Sequence, residues 1–265
     1  MTMMADVKNL EIPKPIGRLG EAFRDAGHEL YLVGGYVRDK LLGDEEAKPD
    51  ADATTRAKPG EIKRLLRPHA EHLWDVGERF GTIGARVGGF EVEVTTYRSD
   101  LYTEGSRHPE VRFGESLEED LARRDFTINA IAADALTGNI LDPFEGRRDL
   151  ENGVIRAVGE PLDRMRDDPL RMLRAVRFEA TRTGPERPFA LTTDLEAAIR
   201  ENAGWLRSIS AERVRDEFEK VLGSENVSAG QRALVRLGLM PFIVPEFMET
   251  VEVEQEAEFH HNDVF

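Results

Sequence analysis

Asp50 and Asp52 stand two positions apart in the stretch KPDADATT. On a β-strand, where side chains alternate between faces, that spacing turns both carboxylates to one side. Like charges held together cost free energy and raise one pKa, and a divalent cation removes the cost. Hard carboxylate oxygens suit Mg2+, which keeps several waters and shares its other positions with substrate phosphates. A lone D-x-D is more often a solvated loop pair, and a third acid shifts that balance. FEVEVTTY, read as a strand, supplies one: Glu91, Glu93 and Thr95 share a face, and Val92 and Val94 take the other. If that strand neighbours DADATT, Glu93 joins the two aspartates. Three such acids fit a two-metal site, where one ion activates a hydroxyl and the other steadies the leaving oxygens of an in-line phosphoryl displacement.

A second feature points to an anion. LVGGYVRD ends a strand candidate in Gly34-Gly35 and leads into a helix. Without β-carbons the backbone can approach a phosphate, the helix start offers free N–H groups, and Arg38 can reach the same charge. The spacing is neither the Rossmann fingerprint nor a P-loop. A tight strand-to-helix turn accounts for the glycine pair equally well.

These residues need elements to hold them. ELYLVGG has the apolar density of a buried strand, and GYVRDKLLG reads as a short helix closed by Gly43. DADATT is a strand candidate, and PGEIKRLL opens on Pro59 as helices often do. TIGARV and FEVEVTTY flank Gly88-Gly89, which predicts a β-hairpin. After about Val158 the pattern is helical throughout, in DPLRMLRAVRFEATR, TTDLEAAIRENAGWL and SAERVRDEFEKVLG. The last places Val214, Phe218, Val221 and Leu222 on one face. The expectation is an α/β head followed by an all-helical extension.

Composition narrows the chemistry. With no cysteine among 265 residues there is no disulfide, thiolate metal site or thiol nucleophile. No apolar run is long enough to span a bilayer and MTMMADVKNLEIPK lacks a secretion-signal core, so a cytoplasmic protein without membrane contact is expected. The net charge of −15 argues against a broadly basic nucleic-acid binder. The charge is uneven, however. Six glutamates and no base lie between Glu246 and Glu258, whereas Arg123 to Arg177 carries ten arginines interleaved with as many acids, leaving room for a local phosphate-binding surface.

Taken in order, YLVGGYVRDKLLG, DADATTRAKPGEI, FEVEVTTYRSD, ARRDFTINAIAAD, LDPFEGRRDLENGVIRAVGEP and RMRDDPLRMLRAVRF resemble the bacterial class II tRNA nucleotidyltransferases. These are the CCA-adding enzymes and their poly(A) polymerase relatives. The resemblance runs from about Leu19 to near Met240. It implies an α+β fold: a polymerase-β-like head with a mixed sheet and helices over 1–157, and an all-helical neck over 158–245. It makes Asp50 and Asp52 the metal-binding carboxylates for two Mg2+ ions and Glu93 the third catalytic acid. Gly34, Gly35 and Arg38 would hold the triphosphate, and Arg124, Asp125 and Asn129 the ribose and phosphates of incoming CTP or ATP. The acceptor would be the tRNA 3′ end.

The family selects its base with a Glu-Asp-x-x-Arg element, represented here by Asp167-Asp168-Pro169-Leu170-Arg171. Asp167 stands where the family has Glu. Asp168 and Arg171 lie one helical turn apart and can match the donor and acceptor pattern of a base edge. Asp168 before Pro169 is also a natural helix cap. Arg174 and Arg177 follow on the same helix, either organising that pocket or pairing with acids across the neck. RSDLYTEGSRHPEVRF, with Gly105, is similar to the family loop tied to addition of the final A. Residues 246–265 read as an acidic linker and the opening of an HD phosphohydrolase domain at His260, His261 and Asp263, which makes the chain a shortened piece of a longer protein. The competing functions are a poly(A) polymerase on general RNA ends, and an HD phosphohydrolase using this head to bind RNA.

Overall fold

The alternation of FEVEVTTY fixes the two faces of a seven-stranded sheet, and everything catalytic in the first half of the chain hangs on which face is covered. The computed structural model describes residues 8–44, 50–99, 112–181 and 189–251. The chain divides into two compact units, Met1–Glu151 and Asn152–Phe265.

The first unit opens with α1 (Lys14–Asp25), β1 (Tyr31–Val33), α2 (Gly35–Leu41), β2 (Asp50–Thr55), α3 (Pro59–Leu66) and β3 (His72–Trp74). The expected hairpin follows as β4 (Thr82–Val87) and β5 (Phe90–Thr96), then the two-residue strands β6 (Arg98–Ser99) and β7 (Arg112–Phe113), which pair with each other. The unit continues through α4 (Leu117–Ala122), β8 (Ala132–Asp134), β9 (Ile140–Leu141) and α5 (Gly146–Asn152). The main sheet runs β3-β4-β5-β2-β1-β8-β9. Only β2 and β5 pair in parallel; the other neighbours are antiparallel.

One face is core. Ala51, Ala53, Ile83, Ala85, Val92 and Val94 are buried there, together with Ile16, Leu19 and Phe23 of α1 and Ile62 and Leu66 of α3. Each of the larger side chains among them contributes about 1.5–3 kcal/mol, so a one-residue slip that exchanged the faces is excluded energetically. The opposite face therefore receives Asp50, Asp52, Glu91 and Glu93, all exposed. β1 passes into α2 through Gly34, whose φ of 68° and ψ of −133° belong to a region that only glycine occupies without strain. Because α2 packs on β1 and β2, this turn sits beside the acidic strand.

The second unit comprises β10 (Val154–Ile155), α6 (Pro161–Asp167), α7 (Leu170–Thr181), β11 (Ala190–Leu191), α8 (Thr193–Asn202), α9 (Ala211–Leu222) and α10 (Val227–Arg236). It is not wholly helical: β10 and β11 form a short parallel pair. That pairing ties Val154–Ile155 to the second unit, so the division falls at 151/152, six residues ahead of the expected 157/158. α9 and α10 pack on α7. Gly230 permits the approach, since a β-carbon there would stand 2.5 Å from Cγ1 of Val221 and 3.0 Å from Cβ of Ala180.

The face predicted for α9 needs one correction. Leu222 is 42% exposed, while Glu217 is buried in the stripe with Val221. Arg177 lies 3.2 Å from Glu217 and Lys220 2.9 Å, so the buried carboxylate is compensated from two helices. Residues 100–111 of the loop candidate RSDLYTEGSRHPEVRF, whose ends form β6 and β7, and the residues His260, His261 and Asp263 fall outside the described residues. Among the described residues no helix is long and apolar enough to cross a membrane.

Glu217→Ala removes the carboxylate that Arg177 and Lys220 share. It is expected to destabilise the chain by about 2–4 kcal/mol. Urea denaturation followed by far-ultraviolet circular dichroism measures this, and a change within 0.5 kcal/mol, about what a plain surface substitution gives, would remove Glu217 from the packing account.

Candidate active site

Two rows of residues cross the open face of the sheet. In one, His72, Arg86, Glu91 and Asp50 are register neighbours on β3, β4, β5 and β2. In the other, two residues along, the sequence of neighbours is Trp74, Gly84, Glu93 and Asp52. Register partners in adjacent strands project to the same side at about 4.5–5.5 Å between β-carbons. The three predicted acids therefore share one surface, with Glu93 directly beside Asp52.

The rows differ in charge balance. Arg86 hydrogen-bonds Glu91 across the strands and sets a positive charge beside it. Opposite Glu93 the strand offers only Gly84, and among the described residues no cation forms an ion pair with Glu93. Partial desolvation, then the charges of Asp52, Asp50 and Glu91, push the Glu93 carboxyl above its ordinary range, against a lowering by the Trp74 indole N–H. An acidic surface with an uncompensated carboxylate next to Asp52 is what a hard divalent cation relieves. The carboxylates share the face without closing on a point: among the described residues no three His, Asp or Glu side chains form a finished metal cage.

The glycine turn faces the same place. A β-carbon on Gly34 would lie 3.2 Å from Nη1 of Arg124 and 3.6 Å from Oδ2 of Asp52. Gly34 is thus required by its backbone angles, and two side chains meet over it. Arg124 enters from the turn after α4, where its Nη2 lies 3.3 Å from Oδ2 of Asp120 and its Nη1 donates to the Asn129 carbonyl at 3.4 Å. Asp120 was not singled out in the sequence. It is 1% exposed, also accepts from Arg123 and from the Arg98 backbone N–H, and so fixes the base of the arginine pair. Burial raises its pKa, but Arg124 and Arg123 overcome that and hold it below the ordinary carboxylate range.

Arg38, Asn129 and Asp125 are brought together as one buried chain. Arg38 is 5% exposed; it donates to Asn129 Oδ1 at 2.6 Å and to both carboxylate oxygens of Asp39 at 2.8 and 3.0 Å. Asn129 passes its amide N–H to Asp125 Oδ1 at 2.9 Å, and that oxygen also accepts from the Phe126 backbone N–H. So placed, Arg38 orders Asn129. Gly35, at the start of α2, leaves space beside the Arg38 guanidinium, 3.5 Å from where its β-carbon would be.

In the second unit Asp168 lies between α6 and α7. Its Oδ1 accepts from the Leu170 backbone N–H at 3.1 Å, the expected capping contact, and its Oδ2 pairs with Arg213 of α9 at 2.7 Å. Arg171 donates to the Arg164 carbonyl at 3.1 Å and lies 3.7 Å from Asp167, itself 3.0 Å from Arg164. The pair is held from two different helices, a support visible only in three dimensions. Arg174 sits 5.8 Å from the Phe178 ring centre, and Arg177 pairs with Glu217 while stacking on the same ring at 4.8 Å.

Comparison with known proteins matches residues 30–156 to the family described as the poly A polymerase head domain and residues 188–250 to the probable RNA and SrmB-binding site of polymerase A. A CCA-adding enzyme of Lactobacillus helveticus is 46% identical over 202 residues, covering 76% of this chain and 48% of the relative. The Bacillus stearothermophilus CCA-adding enzyme, solved in complex with CTP, superposes with a TM-score of 0.74 at 40% identity, over 85% of this chain and 52% of the other. The Thermotoga maritima CCA-adding enzyme complexed with tRNA-CCA gives 0.71 at 28% identity, over 92% and 55%. The chain spans about half the length of the curated relatives it matches.

Asp120→Asn is expected to cost about 2–4 kcal/mol at neutral pH. A carboxyl whose folded pKa is depressed contributes stability that is present above its unfolded pKa and lost as pH falls through the folded value. Urea denaturation of both proteins from pH 7 down through pH 3 should therefore show the gap narrowing in acid. A gap independent of pH would mean that Asp120 acts through packing and not through its charge.

Proposed function

The chain belongs to the poly(A) polymerase head-domain family in its bacterial tRNA nucleotidyltransferase branch, and on that premise we propose that it adds C, A or both to the 3′ end of tRNA. The substrates are CTP and ATP, and pyrophosphate leaves. The observation that carries the reading is the meeting of Asp52, Glu93, Gly34 and Arg124 at the open face of one sheet.

In this reading the tRNA 3′-hydroxyl attacks the α-phosphate in line. Asp50 and Asp52 would hold two Mg2+ ions, with Glu93 as the third acid. When bound, the ions supply a lowered hydroxyl pKa and neutralise charge developing on the phosphates. Gly34 and Gly35 let the backbone approach the triphosphate, and Arg124 supplies a fixed positive charge beside it. Arg38, Asn129 and Asp125 keep that wall rigid, so positioning and preorganised electrostatics carry much of the rate.

Base choice rests on the second unit. The Asp168 carboxylate accepts at the base edge and the Arg171 guanidinium donates, with Asp167 holding Arg171. Arg213 and the Leu170 N–H pin Asp168, and a carboxylate has lone pairs to spare for a base. Arg174 and Arg177 continue the cationic side of α7. The Bacillus relative solved with CTP favours this reading over a poly(A) polymerase, which has no use for CTP. With a net charge of −15, the chain is expected to hold nucleotide and to grip tRNA weakly, in a salt-sensitive way.

The test is to incubate the chain with tRNAs lacking CCA, CA or A and to sequence the 3′ ends formed. Incorporation of C or of terminal A is expected, and Asp50→Ala should reduce it by about 100- to 1,000-fold, on the order of the loss of one main electrostatic stabiliser, with an unchanged thermal midpoint. Runs of A on any RNA, with CTP ignored, would assign the poly(A) reaction instead. Near-normal activity in Asp50→Ala would reject the site.

A further inference from the structure

Glu93 faces Gly84 on one side and Asp52 on the other, and the indole of Trp74 reaches across the glycine toward it. The approach is close. A β-carbon on Gly84 would stand 2.0 Å from Nε1 and 2.1 Å from Cε2 of Trp74, so any side chain at 84 would expel the ring. The indole Nε1 thereby lies over Gly84, the register neighbour of Glu93, on the side the Glu93 carboxylate shares. The His72 ring flanks the indole at 6.1 Å between centroids, on the same face.

We propose that Trp74 is a positioning residue for the metal-binding acids, orienting Glu93 toward Asp52 through its indole N–H while leaving the carboxylate its full negative charge. The proposal rests on the assignment of Asp50, Asp52 and Glu93 as the cation site. The neighbouring row supplies the contrast. There Arg86 orients Glu91 and places a positive charge beside it, which opposes a cation at that carboxylate. An indole donates one hydrogen bond and carries no charge. It can therefore fix a carboxylate without competing with a cation for it. Partners that orient a metal-binding side chain through a hydrogen bond typically govern metal affinity by about 10–100-fold.

The requirement on sequence is a pair. Trp74 and Gly84 are register partners, and the glycine serves to open the path of the ring. Arginine at Trp74 would repeat the Arg86 arrangement and set a positive charge beside Glu93, and any larger residue at 84 would close the path.

The test uses the whole chain and Mn2+ as the probe, with free Mn2+ measured by electron paramagnetic resonance. Wild type should bind Mn2+, and Asp50→Ala should weaken that binding strongly. Trp74→Phe, which keeps an aromatic ring and loses the N–H, should raise the dissociation constant by about 10-fold. In the same variant kcat should fall at limiting Mg2+ and recover at high Mg2+, with KM for CTP unchanged, which a merely structural defect would not allow. A folded Trp74→Phe that binds Mn2+ as tightly as wild type overturns this role and leaves the acid site standing. Wild type that binds no Mn2+ overturns the acid site itself and the role with it. Should Trp74→Phe not fold, the indole N–H resonance of Trp74 in 15N-labelled wild type decides: movement on Mg2+ titration supports the proposal and a static resonance refutes it. Trp205→Phe assigns that resonance, because the chain has two tryptophans.

Discussion

The parallel pairing of β2 with β5 is the constraint from which the rest follows. It sets Asp52 beside Glu93 on a face that the apolar residues of the same strands cannot occupy, because Ala51, Ala53, Val92 and Val94 are committed to the core. Repulsion between the acids is thus held in place by burial on the opposite side of the sheet. A fold that spends apolar packing to keep like charges together stores a demand for a cation, and the nucleotide chemistry proposed here answers it.

Around that face the protein separates two uses of positive charge. Arg86 and Arg123 serve structure, the first balancing Glu91 and the second anchoring Asp120. Arg124 is tethered by Asp120 yet meets Asp52 over Gly34, where it can act on a ligand. The same division holds in the second unit. Arg213 and Arg164 steady Asp168 and Asp167, and Glu217 steadies Arg177. Charged residues of one type are therefore distinguished by their partners and burial, which makes a bare count of arginines a poor guide to function.

Much of this was legible from local signals. Period-two alternation gave the strand faces of Asp50, Asp52 and Glu93, Gly88-Gly89 gave the hairpin, and Pro59 gave the start of α3. What was not legible needed register or tertiary contact. Nothing in the order of residues says that Trp74 meets Gly84, that Arg86 pairs with Glu91, or that Arg213 reaches Asp168 across 45 positions. Glu217 misled for a related reason: helical spacing counted Leu222 as core, whereas a paired glutamate fills the buried place. The short β10–β11 pair escaped because two-residue strands leave no periodic trace.

The most direct check on the central claim is the position of a bound cation. Crystals of the chain grown with Mn2+ and CTP, measured at the manganese absorption edge, should give an anomalous peak coordinated by Asp50 and Asp52, with Glu93 turned to the same ion cluster and the triphosphate beside Gly34 and Arg124. Manganese found only at other carboxylates, with CTP bound away from this face, would contradict it.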